Sequence, residues 1–177
     1  ENGKIIKSDP RIMLDMSAIA KGFTCDLIGE YLAGEGCANY MVEIGGEVVA
    51  KGVNQRGMIW SIGISKPDES AMYAQEDIQT VVKLPSRALA TSGNYRNYYE
   101  ENGKKYGHEI NPHTGYPAET NLLSATVLAD DCMTADALAT AFMVLGLEKS
   151  MELHKKLKNV EVYFIYADDS GFNKIFM

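Results

Sequence analysis

The sequence has 177 residues, of which 46% are hydrophobic and 23% charged, and its formal net charge at pH 7 is -7. This composition is typical of one globular domain with a sizeable core, and it excludes a disordered chain. Acidic residues outnumber basic ones, and the basic residues form no cluster. This argues against a protein that binds nucleic acid by neutralising its phosphates. An acidic protein that binds a phosphate ligand needs local help from a helix N-terminus, a lysine or a divalent metal.

The cysteines and the apolar runs show no sign of a disulfide scaffold, a zinc site or a membrane span. Cys25, Cys37 and Cys132 are widely spaced and form no C-x-x-C pair, so we expect them to be core residues. No run of about 18 apolar residues occurs, and the N-terminal residues lack the apolar segment of a signal peptide. The opening residues 1–4 resemble a turn inside a protein, so we expect a fragment of a longer chain.

The first distinctive stretch covers residues 14–22. A short apolar run predicts a strand that ends at Asp15, and Ser17 is the expected N-cap of the helix that follows. That helix has apolar residues at a helical spacing, at Ile19, Phe23, Leu27 and Tyr31. A helix N-terminus attracts anions, and Lys21 adds a positive charge one turn into the helix. The same residues fit an ordinary capped helix with a surface lysine, so the stretch alone leaves both interpretations open.

Most of the sequence between residues 40 and 129 has the pattern of β-strands. The predicted strands cover residues 40–44, 47–52, 58–64, 78–84, 88–91 and 122–129. We expect the first three to form a meander through turns at Gly45-Gly46 and 54–57, and residues 67–70 to form a surface loop. Because Gly45-Gly46 is followed by strand residues and is not G-x-G-x-x-G, a Rossmann nucleotide site is not indicated.

Two loops in the second half of the sequence carry polar chemistry. The fifth strand is expected to break at residues 92–95, and Ser92 lacks the G-x-S-x-G pattern of a serine hydrolase. Residues 105–117 are rich in turn formers, and His108 in that loop suits a general base as well as an ordinary surface side chain. The spacing H-E-x-x-x-H and the helix-breaking Pro112 exclude a metalloprotease helix.

The C-terminal third predicts two helices and a closing hairpin. The first helix begins near Asp131 and ends at Gly146, the second covers residues 148–157, and the hairpin turns at 168–171. Strands outnumber helices and occur in blocks, which favours an α+β fold over a doubly wound sheet.

Asp136 and Thr140 are four residues apart on the predicted helix 131–146, so their oxygens share one face. Hard oxygen ligands of this kind suit magnesium, which usually completes its shell with water and substrate phosphates. The alternative is an exposed acid and a threonine that bonds to its own backbone. The spacing alone does not decide between them.

Five motifs, taken together in their order along the chain, are more specific than any one of them alone. They are residues 15–23 (DMSAIAKGF), 44–47 (IGGE), 91–95 (TSGNY), 108–117 (HEINPHTGYP) and 135–141 (ADALATA). Together they resemble the ApbE family of flavin transferases over nearly the whole chain. The resemblance implies an α+β fold of mixed or antiparallel sheets with packed helices, in the T-fold-like architecture of that family. It also implies that residues 1–177 are a single domain from the C-terminal part of such a protein.

The resemblance implies an activity, a metal and two partners. Members of the family use Mg²⁺ to transfer FMN from FAD to a threonine or serine hydroxyl of a target protein and release AMP. The alternatives are an FAD pyrophosphatase and a non-catalytic flavin-binding or interaction module. A periplasmic or membrane-anchored lipoprotein is the expectation for the family.

The resemblance also assigns roles to individual residues. The carbonyl of Ala18, with Asp136 and Thr140, would hold magnesium, and His108 would be the catalytic base. The expected FAD contacts are Asp15, Lys21, Gly45, Gly46 and Ser92. The loop at Asn111-Pro112-His113 departs from the family's usual Asp-Pro-Arg, which removes a charge. Since family members have an earlier portion that completes the flavin-ring pocket, we expect this chain alone to bind FAD weakly or not at all.

Overall fold

The structure is a computed structural model that describes residues 4–65, 78–94, 98–101, 104–168 and 171–177. Within these ranges the chain forms three helices and ten strands. The helices are α1 (Ala20–Gly34), α2 (Cys132–Leu145) and α3 (Leu147–His154). The strands are β1 (Tyr40–Ile44), β2 (Glu47–Lys51), β3 (Trp60–Ser65), β4 (Ile78–Leu84), β5 (Ala88–Gly93), β6 (Tyr98–Glu101), β7 (Lys104–Gly107), β8 (Leu122–Ala129), β9 (Glu161–Asp168) and β10 (Gly171–Phe176).

Six strands form one sheet in the order β1-β2-β5-β8-β9-β10, and every neighbouring pair is antiparallel. In the described ranges β3-β4 and β6-β7 form two further two-stranded sheets. The predicted α+β class is confirmed. The predicted meander is wrong after β2, because β5 occupies the free edge of β2 and β3 pairs with β4 instead. A single bridge between Val53 and Ile59 is what remains of the expected pairing across the turn at 54–57.

The central strands are buried because the six-stranded sheet is covered on both faces. On one face α2 packs against β8 and β9, and Phe142 meets Phe164 edge to face at 5.4 Å between ring centroids. On the other face the β3-β4 pair packs against β2, β5 and β8, with Leu84 fully buried. Residues that alternate along a strand point to opposite faces, so β8 needs apolar residues at nearly every position.

The N-terminal region differs from its prediction. Helix α1 begins at Ala20 with Ile19 as its N-cap residue, and residues 12–16 do not form a strand. Ser17 is therefore not the N-cap. The apolar stripe of α1 faces outward, since Phe23 and Leu27 are each 47% exposed. The buried positions of this helix are Gly22, Cys25 and Gly29.

The small buried residues of α1 explain why its apolar stripe is not the packing face. A Cβ atom on residue 29 would lie 3.2 Å from the Tyr40 ring and 3.3 Å from Val49 Cγ1. Glycine at this position lets the helix backbone approach the sheet closely, so α1 packs on the sheet through its small-residue face. The larger side chains of the stripe then point away from the sheet.

Smaller differences concern element ends. β5 continues through Ser92 and Gly93, which pair with Ala125 and Ser124 of β8, so the strand ends within the predicted range 92–95 but two residues after its predicted last residue. Helix α3 ends at His154, three residues before its predicted end. The β9-β10 hairpin is confirmed, while residues 169–170, the predicted loop 67–70 and Tyr95 lie outside the described residues.

The cysteines divide into two classes. Cys25 and Cys132 are fully buried, as predicted, and burial raises the pKa of both thiols. Cys37 is exposed after α1, so its predicted place in the core is wrong. In the part of the chain that the structure describes, no helix combines the length and apolar character needed to cross a bilayer.

Candidate functional site

Helices α1 and α2 cross where Gly22 meets Asp136. Asp136 is 2% exposed, and its Oδ2 accepts a hydrogen bond of 3.0 Å from the Gly22 amide. A Cβ atom on residue 22 would lie 2.4 Å from the carbonyl oxygen of Cys132, so the contact requires glycine. Burial raises the pKa of Asp136, while the Gly22 hydrogen bond and the charge of Lys21 lower it. The result is a buried carboxylate whose burial is only partly compensated.

The Gly22 amide lies in the first turn of α1. Ile19 is the N-cap residue, and the first bond of the helical ladder runs from the Phe23 amide to the Ile19 carbonyl. A helix leaves the amides of its first turn without an acceptor of its own, and Asp136 supplies one for Gly22. The Ala18 carbonyl precedes the N-cap residue, so it is not an acceptor in the helical ladder and can serve as a ligand.

Two aspartates fix the N-terminus of α2. Asp26 of α1 accepts hydrogen bonds of 2.8 Å from the amides of Cys132 and Met133 through its two carboxylate oxygens. Asp131 is the N-cap residue and accepts from the Thr134 amide at 2.7 Å. Both carboxylates satisfy amides that a helix start leaves unpaired. Asp26 thereby ties α1 to α2 about one helical turn from Asp136, while Asp131 caps α2 from its own chain end.

Thr140 lies one turn beyond Asp136 on α2, and its hydroxyl is 3.1 Å from the Ser92 hydroxyl at the end of β5. Asp136 is buried, and the hydroxyl of Thr140 meets a side chain of the sheet. The interpretation of this pair as an exposed acid and a threonine bonded to its backbone is therefore wrong. Ser92 connects the strand end to the helix face on which the two predicted oxygen ligands lie.

Lys21 is tied to the β1-β2 turn. Its Nζ donates to Glu47 Oε1 at 2.7 Å; the lysine side chain is 47% exposed and the glutamate side chain 2%. The turn itself is formed by Gly45 and Gly46 at φ +63° and +106°, and a Cβ on residue 45 would lie 3.4 Å from Lys21 Cδ. Positive φ angles favour glycine, and this conformation confirms the predicted turn.

Asp15 lies before α1 and is exposed. Its Oδ1 accepts hydrogen bonds from the amide of Ser17, at 2.7 Å, and from the Ser17 hydroxyl. These hydrogen bonds lower the pKa of Asp15, with the hydroxyl contributing most. Ser17 therefore orders the segment that leads into α1 rather than capping the helix.

His108 is in the bend that follows β7. Its Nε2 lies 3.5 Å from Oε1 of Glu109; the histidine side chain is 55% exposed and the glutamate side chain 5%. Burial raises the pKa of Glu109, and a protonated His108 acts in the opposite direction. Gly107 packs against the Asn94 side chain, since a Cβ on residue 107 would lie 2.4 Å from Asn94 Oδ1. This contact places the His108 bend beside the end of β5.

The structure brings part of the predicted site together. Direct contacts join Gly22 to Asp136, Lys21 to Glu47, and Ser92 to Thr140. Asp15 contacts Ser17, and His108 lies beside Glu109. Among the described residues, groups of three or more His, Cys, Asp or Glu side chains placed to hold a metal are absent. The candidate ligands are instead one carboxylate, one hydroxyl and one carbonyl, an oxygen-only set that fits magnesium.

Sequence reasoning missed two buried acids. Glu47 is 1% exposed and Glu109 is 7% exposed, and each has an Oε2 atom without a hydrogen-bond partner among the described residues. Glu47 gave a weak signal, because it begins an otherwise apolar strand directly after the glycine turn. Glu109 follows the candidate base, but its burial depends on the fold of the whole loop.

The fold and the site define an α+β domain in which a buried carboxylate and a tethered lysine meet at the junction of two helices and a glycine turn. The chain belongs to the ApbE family, whose sequence profile matches residues 1–164. It is 46% identical over 172 residues to an FAD:protein FMN transferase of Haemophilus influenzae, covering 97% of this chain and 49% of that protein. An FAD:protein FMN transferase of Vibrio cholerae is 42% identical over 174 residues, covering 98% of this chain and 51% of the relative.

Solved structures agree with the sequence comparison. The flavin transferase ApbE from Vibrio cholerae superposes with a TM-score of 0.82 at 41% identity, covering 94% of this chain and 51% of that chain. The apo form of the Pseudomonas stutzeri flavinyl transferase ApbE gives a TM-score of 0.78 at 34% identity, covering 93% and 49%. The chain spans about half the length of the curated relatives it matches.

Proposed function

We propose that this chain forms the pyrophosphate-binding part of an FAD:protein FMN transferase. The protein that carries it would transfer FMN from FAD to a threonine or serine hydroxyl of a target protein and release AMP. The observation that carries the proposal is the buried Asp136 carboxylate, which accepts a hydrogen bond from the Gly22 amide in the first turn of α1, four residues after Ala18. The proposed reaction is the one for which the relatives are named, FAD:protein FMN transfer.

The oxygen set described above fits Mg²⁺. The Ala18 carbonyl, the Asp136 carboxylate and the Thr140 hydroxyl would hold the ion, and Ser92 would orient the threonine. When bound, the ion would supply positive charge that offsets the charge of the pyrophosphate. In a chain with a net charge of -7, such local neutralisation is what a doubly charged phosphate ligand requires.

Four further residues would hold the FAD. Lys21 is half exposed and would donate to a phosphate oxygen, while the Gly45-Gly46 turn lets the ligand approach the backbone. Asp15 has one carboxylate oxygen engaged by Ser17, and its other oxygen would contact FAD. These positions lie at the start of α1 and in the turn that packs against it.

His108 would act as the general base. It would take the proton of the target hydroxyl while that oxygen forms a bond to the FMN phosphorus. The bond from this phosphorus to the bridging oxygen breaks, and AMP leaves with the bridging oxygen and its electron pair. The exposure of His108 suits a base that must meet a hydroxyl brought by another protein.

The His108 assignment predicts a selective loss of transfer. In the full-length protein with FAD, Mg²⁺ and a peptide containing the acceptor threonine, His108→Ala is expected to lower the rate of peptide flavinylation at least 100-fold. Binding of FAD should change less than about threefold, because the imidazole contacts the acceptor and not the phosphates. Mass spectrometry of the peptide and chromatography of AMP measure the reaction.

His113→Ala is the matched control, because His113 is exposed in the same loop and its described hydrogen bond runs from its backbone amide to Asn111. It should retain the wild-type rate. If the wild type releases AMP and FMN but leaves the peptide unmodified, the activity is that of an FAD pyrophosphatase. If neither product forms, the interpretation as a non-catalytic flavin-binding module replaces the proposal. Weak FAD binding by this chain alone stays a prediction, which flavin fluorescence quenching tests.

A further inference from the structure

Glu47 is a buried acid to which the proposed reaction assigns no role. It is 1% exposed, and it begins β2 directly after the Gly45-Gly46 turn. Burying an ionised carboxylate is costly unless its charge is paired and hydrogen-bonded. Glu47 Oε1 has such a partner in Lys21 at 2.7 Å, while Oε2 has none among the described residues. A residue with this environment contributes little net stability, which calls for another explanation.

The geometry around Lys21 gives that explanation. Its side chain passes over Gly45, where a Cβ would lie 3.4 Å from Lys21 Cδ, and its ammonium group ends on Glu47. A lysine ammonium has three donors. One is used by Glu47 Oε1, and the side chain is 47% exposed, so a ligand can reach the ammonium group from solvent. An untethered lysine on a helix surface samples many rotamers, so a buried anchor selects one direction.

We propose that Glu47 is a positioning residue that holds the ammonium group of Lys21 toward a phosphate group of the substrate. Glu47 does not contact the substrate. Its carboxylate fixes one N–H of the ammonium inside the protein, and the remaining donors meet the phosphate from the outer side. This role rests on the proposed function, because it assumes that Lys21 binds the pyrophosphate of FAD.

A double-mutant cycle in the full-length protein separates this role from a structural one. Lys21→Met, Glu47→Gln and the double variant are compared with the wild type by flavin fluorescence quenching in EDTA, without target protein. Glu47→Gln is expected to raise the dissociation constant of FAD about tenfold, because glutamine keeps the shape but anchors the ammonium with a weaker, neutral hydrogen bond. The double variant should bind no more weakly than Lys21→Met, since Glu47 acts through the lysine.

Two controls limit the interpretation. Glu161→Gln removes a carboxylate from another ion pair, that with Arg87, and should leave the FAD dissociation constant unchanged. Urea unfolding of Glu47→Gln should give a midpoint at least equal to the wild type, because the substitution removes a buried charge while Lys21 stays hydrated. Glu47→Asp keeps the charge but shortens the side chain, and it should recover part of the lost affinity.

The possible results distinguish a failure of this inference from a failure of the proposed function. If Glu47→Gln binds FAD like the wild type, or if the effects of Lys21→Met and Glu47→Gln add, Glu47 does not act through Lys21 and the inference is wrong. Such a result leaves the proposed function intact as long as the wild type flavinylates the peptide. If the full-length wild type neither binds FAD nor transfers FMN, the proposed function and this inference fail together.

Discussion

Asp136→Asn is expected to lower FMN transfer by the full-length protein about 1000-fold while the protein stays folded. Asparagine has nearly the same shape, and its amide oxygen can still accept the hydrogen bond that Gly22 donates to Asp136 at 3.0 Å. Asparagine lacks the negative charge that attracts Mg²⁺, so the affinity for the metal should fall. Calorimetric titration with Mg²⁺ measures that loss independently of turnover.

The stability of Asp136→Asn provides a second test with a definite sign. Burial raises the pKa of Asp136 in the folded protein, so the ionised form is disfavoured by folding. Below a pH of about 4, the pKa of aspartate in an unfolded chain, Asp136 is protonated in both the folded and the unfolded protein. The wild type and Asp136→Asn should then have similar free energies of unfolding. As the pH rises through the folded pKa, the wild type loses stability relative to the asparagine variant. Urea unfolding in EDTA at about pH 3 and about pH 7 measures this difference.

Asp26→Asn is the matched control for Asp136→Asn. Asp26 also joins α1 to α2, but its carboxylate accepts from the amides of Cys132 and Met133 and lies at the helix start. Its loss should lower the free energy of unfolding by about 1 kcal/mol and leave the affinity for Mg²⁺ within about threefold. If Asp136→Asn and Asp26→Asn reduce Mg²⁺ affinity equally, Asp136 is not a ligand and the metal assignment is wrong.

Gly22→Ala is expected to be the most destabilising single methyl addition at a helix position described here. The added Cβ would lie 2.4 Å from the carbonyl oxygen of Cys132 and 2.8 Å from Asp136 Cβ. Backbone cannot move aside as a flexible side chain can, so the two helices must separate. We expect a loss of about 3 kcal/mol or more in the free energy of unfolding, measured by urea denaturation.

Gly34→Ala provides the comparison within the same helix. Its added Cβ meets nothing within 4 Å, and alanine has the higher helix propensity, so stability should be unchanged or slightly higher. Gly22→Ala should also weaken Mg²⁺ binding, because its amide moves away from Asp136. A Gly22→Ala protein as stable as the wild type would contradict the close crossing of α1 and α2.

Local sequence patterns predicted much of the fold because the relevant signals are short-range. Strand β8 is a mostly apolar run, and α2 has a capping aspartate at Asp131 and a glycine at Gly146 that ends it. Such signals depend on residues within a few positions of each other. The pairing of β3 with β4 was not predictable in this way, because strands near in sequence compete for the same partner and burial decides the outcome.

The candidate site was likewise predicted only where its features depend on local sequence. The spacing of Asp136 and Thr140 on one helix face followed from helical geometry. Lys21 was expected one turn into the first helix, whereas it is the second residue of α1. The burial of Glu47 was not foreseen, because it depends on how the β1-β2 turn packs against α1. The role of Ser17 was mistaken, since the nearby Asp15 carboxylate competes for its hydroxyl and amide.

By itself the sequence determined the α+β class, most of the strands and the family, and it predicted the residues to which the proposed chemistry is assigned. Only the tertiary structure decided which face of α1 is buried. An apolar stripe at helical spacing usually faces the core, but Gly22 and Gly29 allow close backbone contact with α2 and the sheet, so the stripe containing Phe23 and Leu27 is exposed. The same crossing brings Asp136 to the first-turn amide of Gly22. Periodicity records which residues are apolar, whereas close packing depends on shapes that come from distant parts of the chain.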